Sequence, residues 1–231
     1  MFIPLHDDNP LRSIRAPYVT LSLILANVFV FVFYQSGLFH TMTPTGLADL
    51  ALIPCQLLHI DHCVANRFLT NQGLPEQITP ISYMFLHGGW MHLIGNMLFL
   101  WVFGDNVEDA MGHARFLVFY LLCGVFAGYM HAWIAPASGI PLIGASGAVA
   151  GVIAAYLMLH PNVMVWVLAF GVFSLNLPAA IVLGAWVFVQ IFSAMSLADQ
   201  STTAFWAHIG GLMAGAVLIL VMRRPGVRLF Q

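Results

Sequence analysis

The sequence predicts an all-α fold, a polytopic membrane helical bundle with about six transmembrane helices, and three observations predict it. Of 231 residues, 61% are hydrophobic and only 7% are charged, against about 25% charged in soluble domains. The apolar residues gather into runs close to the roughly 20 that cross a hydrocarbon core about 30 Å thick. Short polar breaks separate the runs, so a single membrane domain over 1–231 uses the whole chain.

The elements follow in order. Residues 1–16 form a polar N-terminal segment in which Pro4, Asp7, Asp8 and Pro10 precede the first apolar run. That is neither the pattern of a cleavable signal nor that of an Arg-rich transit peptide. Helices are expected at 17–36, 81–104, 114–134, 145–160, 178–197 and 203–222. The segment 37–80 between the first two is a long loop, with an apolar stretch from Leu47 to Pro54 that can dip into the membrane surface. Residues 163–173 are apolar but too short to cross alone, and read as interfacial or re-entrant; a seventh crossing is the competing reading. Residues 223–231 form a tail.

An even number of crossings puts both termini on one side, and the arginines agree. The chain has no lysine. Arg12, Arg15, Arg115, Arg223, Arg224 and Arg228 fall on the side of the termini, and Arg67 alone falls opposite. Six to one orients the termini toward the cytoplasm and the 37–80 loop outward. The expected location is a bacterial cytoplasmic (inner) membrane, with the lipid bilayer as the main partner. A net charge of −2 leaves no basic footprint for nucleic acid.

Ionisable groups inside hydrocarbon are expensive and usually functional. All nine acids fall in loops or at helix ends, which removes paired-carboxylate chemistry and acidic proton relays from the crossings. Asp105, Glu108 and Asp109 read as a solvated turn, with Glu108 tying it down. Of the ten histidines, His92 and His208 sit clearly within spans. Asn96 follows His92 by four residues, so both lie on one helical face, which needs a partner on another helix. Interhelical hydrogen bonding is the plain reading of that pair. His87 reads as hydrogen bonding at a helix start, and His131 and His160 as capping or interfacial groups.

The fourth span opens with Gly144-Ala145-Ser146-Gly147-Ala148-Val149-Ala150-Gly151, and the sixth contains His208-Ile209-Gly210-Gly211-Leu212-Met213-Ala214-Gly215. Small residues let backbones approach closely. Gly-x-Ser-Gly alone is a common packing motif, and it departs from the hydrolase elbow, whose second glycine falls at Ala148. His208, Gly211 and Gly215 share a face. Two glycine-faced helices can bring an imidazole within hydrogen-bonding reach of a hydroxyl, the geometry a serine nucleophile needs.

Taken together, Gly-x-Ser-Gly at helix 4, His-x-x-Gly-x-x-x-Gly at helix 6 and His92-x-x-x-Asn96 at helix 2 resemble the rhomboid family of intramembrane serine proteases. Phe85-Leu86-His87, Met91 to Asn96, Gly104, Val107-Glu108 and Gly112 extend the resemblance, as does Ile3-Pro4-Leu5 to Asn9-Pro10. It covers nearly the whole chain. The resemblance implies Ser146 as nucleophile and His208 as general base and acid, a dyad without an acidic third member. It also implies oxyanion stabilisation by the Ser146 backbone N–H, Asn96 and His92. With His208 about five residues into its span, the site sits roughly 10 Å below the outer surface. The implied partners are transmembrane protein substrates, cut where their helices unwind, and the fifth helix, with Trp186, Phe188 and Phe192, resembles a lateral gate.

Two positions depart from the family pattern. Several members carry tyrosine where this chain has Ala150, so something else must orient His208, and the external loop has Arg67 without a partner tryptophan. Other functions remain to be weighed. A relative that binds membrane-protein clients without cutting them is the alternative, although such relatives usually lose the serine or histidine kept here. A metal or haem centre would draw on Cys55, His59, His62 and Cys63, but Cys-x₃-His-x₂-His-Cys matches no familiar zinc pattern, so neither metal nor cofactor is expected. Ordinary loop cysteines are the favoured reading of Cys55 and Cys63, ahead of a disulfide in an oxidising compartment, and Cys123 reads as core. A transporter is disfavoured because no acid or arginine lines a span.

Overall fold

The structure, a computed structural model, describes residues 2–60, 63, 75–169, 172–196 and 205–230. Arg67, His62 and residues 203–204 of the sixth expected helix lie outside them. The chain begins with strand β1 (Phe2–Asp7) and helix α1 (Tyr18–Val30), which continues as a π-helical turn over Phe31–Gln35. Short helices α2 (Pro44–Leu50), α3 (Pro54–Leu57) and α4 (Thr79–Ser82) lead to α5 (Trp90–Met111), α6 (His113–Ile134) and α7 (Ser146–Leu159). Strands β2 (Met164–Ala169) and β3 (Phe173–Pro178) precede α8 (Ala179–Ser196) and α9 (Phe205–Met222).

The fold is a mostly helical membrane bundle, as expected. By length and composition, α1 with its π-helical turn, α6, α8 and α9 are long and apolar enough to cross a membrane. The other two expected crossings are α5 and α7. The 22 residues of α5 carry three acids near their end, and α7 has only 14, about 21 Å at 1.5 Å per residue. A helix that short survives because it is enclosed: almost all of it is buried among α5, α6 and α9, so its ends need not meet lipid.

Several sequence expectations need correction. The second helix runs from Trp90 to Met111 rather than over 81–104. Pro80 and the Gly88-Gly89 pair break the preceding stretch into short turns, and Gly112 at φ +85° supplies the true stop. The supposed solvated turn is therefore helical, with Glu108 and Asp109 buried and Asp105 half-buried. The Glu108 carboxylate is fully enclosed and accepts from Val19 N (3.0 Å), Thr20 N (2.8 Å) and the Thr20 hydroxyl (2.7 Å). It thereby caps the orphan donors at the start of α1. Asp109 accepts the backbone N–H groups of Arg12, Ser13 and Ile14 at 2.7–3.0 Å. Glu108 and Asp109 are tolerated near the end of a membrane helix because each carboxylate faces several donors.

The described residues of segment 163–173, read as interfacial or re-entrant, are largely strand. These strands belong to an antiparallel three-stranded sheet ordered β1-β2-β3, with Ile3 opposite Leu168 and Val167 opposite Leu175. Alternation decides this: Val165, Val167 and Ala169 turn inward and Trp166 outward. The Asp7 carboxylate accepts the Tyr156 hydroxyl, tying β1 to the end of α7. Arg224 N donates to Ala110 O and Phe230 N to Met158 O, so both termini sit at the same end of the bundle.

At the opposite end, the 47–54 stretch packs on protein. Ala51, Leu52 and Ile53 are buried, and Leu52 exchanges backbone hydrogen bonds with Leu142. Cys55 and Cys63 form a disulfide, their Cα atoms 5.4 Å apart, in place of the free cysteines the sequence favoured. Cys123 is free and buried.

Candidate active site

Ser146 is the first residue of α7, delivered by a loop that passes close to α5. Gly144, at φ +122°, makes that approach possible, because a Cβ there would lie 2.6 Å from His92 Cε1 and 2.7 Å from Nε2. Its N–H donates to Tyr83 O at 2.9 Å, and the Tyr83 hydroxyl donates to Gly124 O at 2.7 Å. The loop before Ser146 is thus pinned from both sides. Being at a helix start, the Ser146 N–H has no intrahelical partner and lies at the positive end of the α7 dipole.

His208 lies on the first turn of α9, and its Nε2 is 2.8 Å from Ser146 Oγ. The 62 residues between them are bridged by backbone contact. A Cβ on Gly211 would overlap Gly147 O, and one on Gly215 would overlap Gly151 O. On the α6 side, a Cβ on Gly147 would meet Ala127 Cβ and one on Gly151 would meet Cys123 Sγ, each at 2.5 Å. The small-residue faces noted in the sequence therefore set the hydroxyl–imidazole distance, since neither helix can hold a side chain between them.

The sequence reading missed Gln190. Its Oε1 lies 2.7 Å from His208 Nδ1, and it is buried on α8, one turn after Trp186. The Trp186 ring sits 5.9 Å from the imidazole, and Phe205 approaches edge-on at 6.3 Å. Ala150, where relatives often carry tyrosine, is buried against the α9 backbone, near the site of Gly211. Here α8 and Phe205 supply the aromatic surroundings of His208. A lone glutamine in an apolar run gave no signal; only its place one turn after Trp186 hinted at a shared face.

His92 and Asn96 share a face of α5, as their spacing requires. His92 Nδ1 accepts the Gly88 N–H at 3.3 Å, which leaves the ring proton on Nε2, the atom beside Gly144. The buried Asn96 amide donates to His92 O at 3.1 Å. Among the described residues, no hydrogen bond joins either one to Ser146 or His208. His87 packs edge-on to His92 at 5.2 Å; its backbone N–H donates to Gln35 Oε1 at 3.0 Å, and neither ring nitrogen has a partner. Among the described residues, no group of three or more His, Cys, Asp or Glu side chains gathers in a metal-ligating cluster.

A hydroxyl on a lone-pair nitrogen is the arrangement a serine nucleophile needs. Comparison with known proteins places the chain in a family. The Rhomboid domain family model matches residues 75–225. The chain is 30% identical over 191 residues to Rhomboid-like protein 11, chloroplastic, of Arabidopsis thaliana, covering 78% of this chain and 66% of that one. It is 28% identical over 157 residues to Rhomboid protein 1, mitochondrial, of Saccharomyces cerevisiae, covering 64% and 43%. Against Rhomboid-related protein 2 of Mus musculus it is 35% identical over 144 residues, 58% and 44% of the two chains. The chain thus spans between 43% and 66% of the length of these relatives.

Proposed function

From the premise that this chain belongs to the rhomboid family, we propose that it is an intramembrane serine endopeptidase that cuts peptide bonds in or near the transmembrane segments of other membrane proteins. One observation carries the reading: Ser146 Oγ lies 2.8 Å from His208 Nε2. In the proposed cycle, His208 accepts the Ser146 proton as Oγ attacks the scissile carbonyl, and returns it to the departing amine. Water then enters by the same route in reverse, releasing the acyl group and restoring the serine. The oxyanion draws on the Ser146 N–H at the start of α7, the Asn96 amide and the His92 Nε2–H. In the resting geometry Asn96 donates to its own helix, so it turns toward the oxyanion to take this role.

The shortness of α7 supports access for water. Its start need not reach the membrane surface, and His208 lies near the same end of α9. A substrate segment reaching this depth would have to unwind, because an intact helix engages its carbonyls in i to i+4 bonds. We assign the site to the external face and the termini to the cytoplasm on the six-to-one arginine distribution. The Cys55–Cys63 disulfide, in the loop on the site's side, fits an oxidising outer compartment.

The test is cleavage of a labelled reporter transmembrane protein in liposomes by the wild type, Ser146→Ala and His208→Ala. The reading requires that only the wild type cuts, and that a fluorophosphonate labels Ser146 in the wild type alone. Equal cleavage by all three proteins would overturn it.

A further inference from the structure

We propose that Gln190 is the positioning residue of the general base, holding His208 in the tautomer that leaves Nε2 free to take the Ser146 proton. The proposal rests on the protease reading above and assigns the orienting group that a dyad lacks. An imidazole can accept from Ser146 at Nε2 only if its proton is on Nδ1. A buried Nδ1–H needs an acceptor, and Gln190 Oε1 stands 2.7 Å away. Both ring contacts are satisfied at once in this tautomer alone. Through the reaction the Nδ1–H stays on the glutamine oxygen, while Nε2 gains the serine proton and passes it to the leaving amine.

The surroundings explain why a neutral amide has this place. The acids of α5 lie at its far end, against the N-terminal segment, and among the described residues no carboxylate is hydrogen-bonded to His208. A carboxamide accepts the same hydrogen bond at a much smaller burial cost than a charge in a membrane interior. Packing alone does not explain a glutamine here, since leucine would fill the position without burying an amide. Gln190 and Trp186, one turn apart on α8, also meet the imidazole together, which stops the ring from turning over.

The experiment compares full-length wild type, Gln190→Leu, Gln190→Met and Gln190→Glu in liposomes, measuring kcat and KM on the reporter substrate and the rate of fluorophosphonate labelling of Ser146. Leaving a buried N–H unpaired predicts that Leu and Met lower kcat by about 10- to 100-fold with little change in KM. Labelling should fall by the same factor, because it uses the Ser146–His208 pair without the transmembrane substrate. Met keeps the side-chain length without its oxygen, so its loss at an unchanged Tm separates positioning from misfolding. Glu keeps an acceptor oxygen and should retain more activity than Leu. The opposite order, Leu active and Glu inactive, would assign the position to packing and overturn the proposal, as would kcat values equal to wild type. Failure of the protease reading itself looks different: the wild type would neither cut nor be labelled, and the proposal would fall with it.

Discussion

Gly211 on α9 lies directly against the backbone carbonyl of Gly147 on α7, so a methyl group at position 211 would occupy the place of that oxygen. The carbonyl belongs to the residue after Ser146, so whatever moves it moves the nucleophile away from His208. Gly211→Ala is therefore expected to lower cleavage by at least about 10²-fold, since small displacements in a catalytic pair are costly, and to lower Tm. Gly184→Ala on α8 has open space within 4 Å and should match or exceed wild-type stability, because alanine favours a helix over glycine by about 1 kcal/mol. Cleavage assays and thermal melts of both variants check this; a fully active Gly211→Ala would sink it.

Asn96 donates to His92 O in the resting geometry. If it turns to the oxyanion during reaction, Asn96→Ala should lower kcat by about 10² to 10³. Fluorophosphonate labelling should fall with it, because the phosphonyl oxygen uses the same donors. KM should change little. An unchanged kcat would remove Asn96 from the site.

Glu108 tests the far end of the molecule. Its carboxylate satisfies three donors of α1 from a fully buried position. Glu108→Ala leaves those donors unpaired, at about 3 kcal/mol or more, and the expected outcome is a large fall in Tm. The molecules that remain folded should label at Ser146 at the wild-type rate. A slowed labelling rate in the folded fraction would show that the α1 grip reaches the site.

Asp7 makes the attachment of β1 sensitive to pH. Burial, with a smaller contribution from neighbouring Asp8, pushes its carboxyl up from 3.8 to about 6, the hydrogen bond from Tyr156 only partly opposing it. The folded state thus binds this proton more tightly than the unfolded chain, so its contribution is full below about pH 4 and is lost as pH rises through about 6. Relative to Asp7→Asn, which cannot ionise, the wild type should lose Tm between pH 4 and 7. Melts of the two proteins that run parallel across that range would contradict it.

The bundle and the four candidate residues were legible in the sequence because their signals are local. Ser146 sits in a run of small residues, His208 leads a glycine face, and His92 and Asn96 are one helical turn apart; spacing along one helix dictates shared orientation without knowledge of the fold. The second helix was misjudged at both ends. Its true stop at Gly112 lies beyond three acids, and only the N–H groups of Arg12 to Ile14 and of Val19 and Thr20 show how two of them, Asp109 and Glu108, are satisfied.

The sequence by itself determined that this chain is a membrane bundle, because composition and helical periodicity act over a few residues, while the pairing of Ser146 with His208 was only implied by the resemblance. Tertiary structure alone decided that Phe2–Asp7 pairs with Met164–Ala169, that Cys55 and Cys63 are joined, and that Gln190 meets His208. Each of these is a contact between segments whose sequences carry no mark of one another. Strand edges, thiols and a buried amide take whatever partner the packing of the helices brings within about 3 Å for a hydrogen bond, and that distance is a property of the assembled bundle.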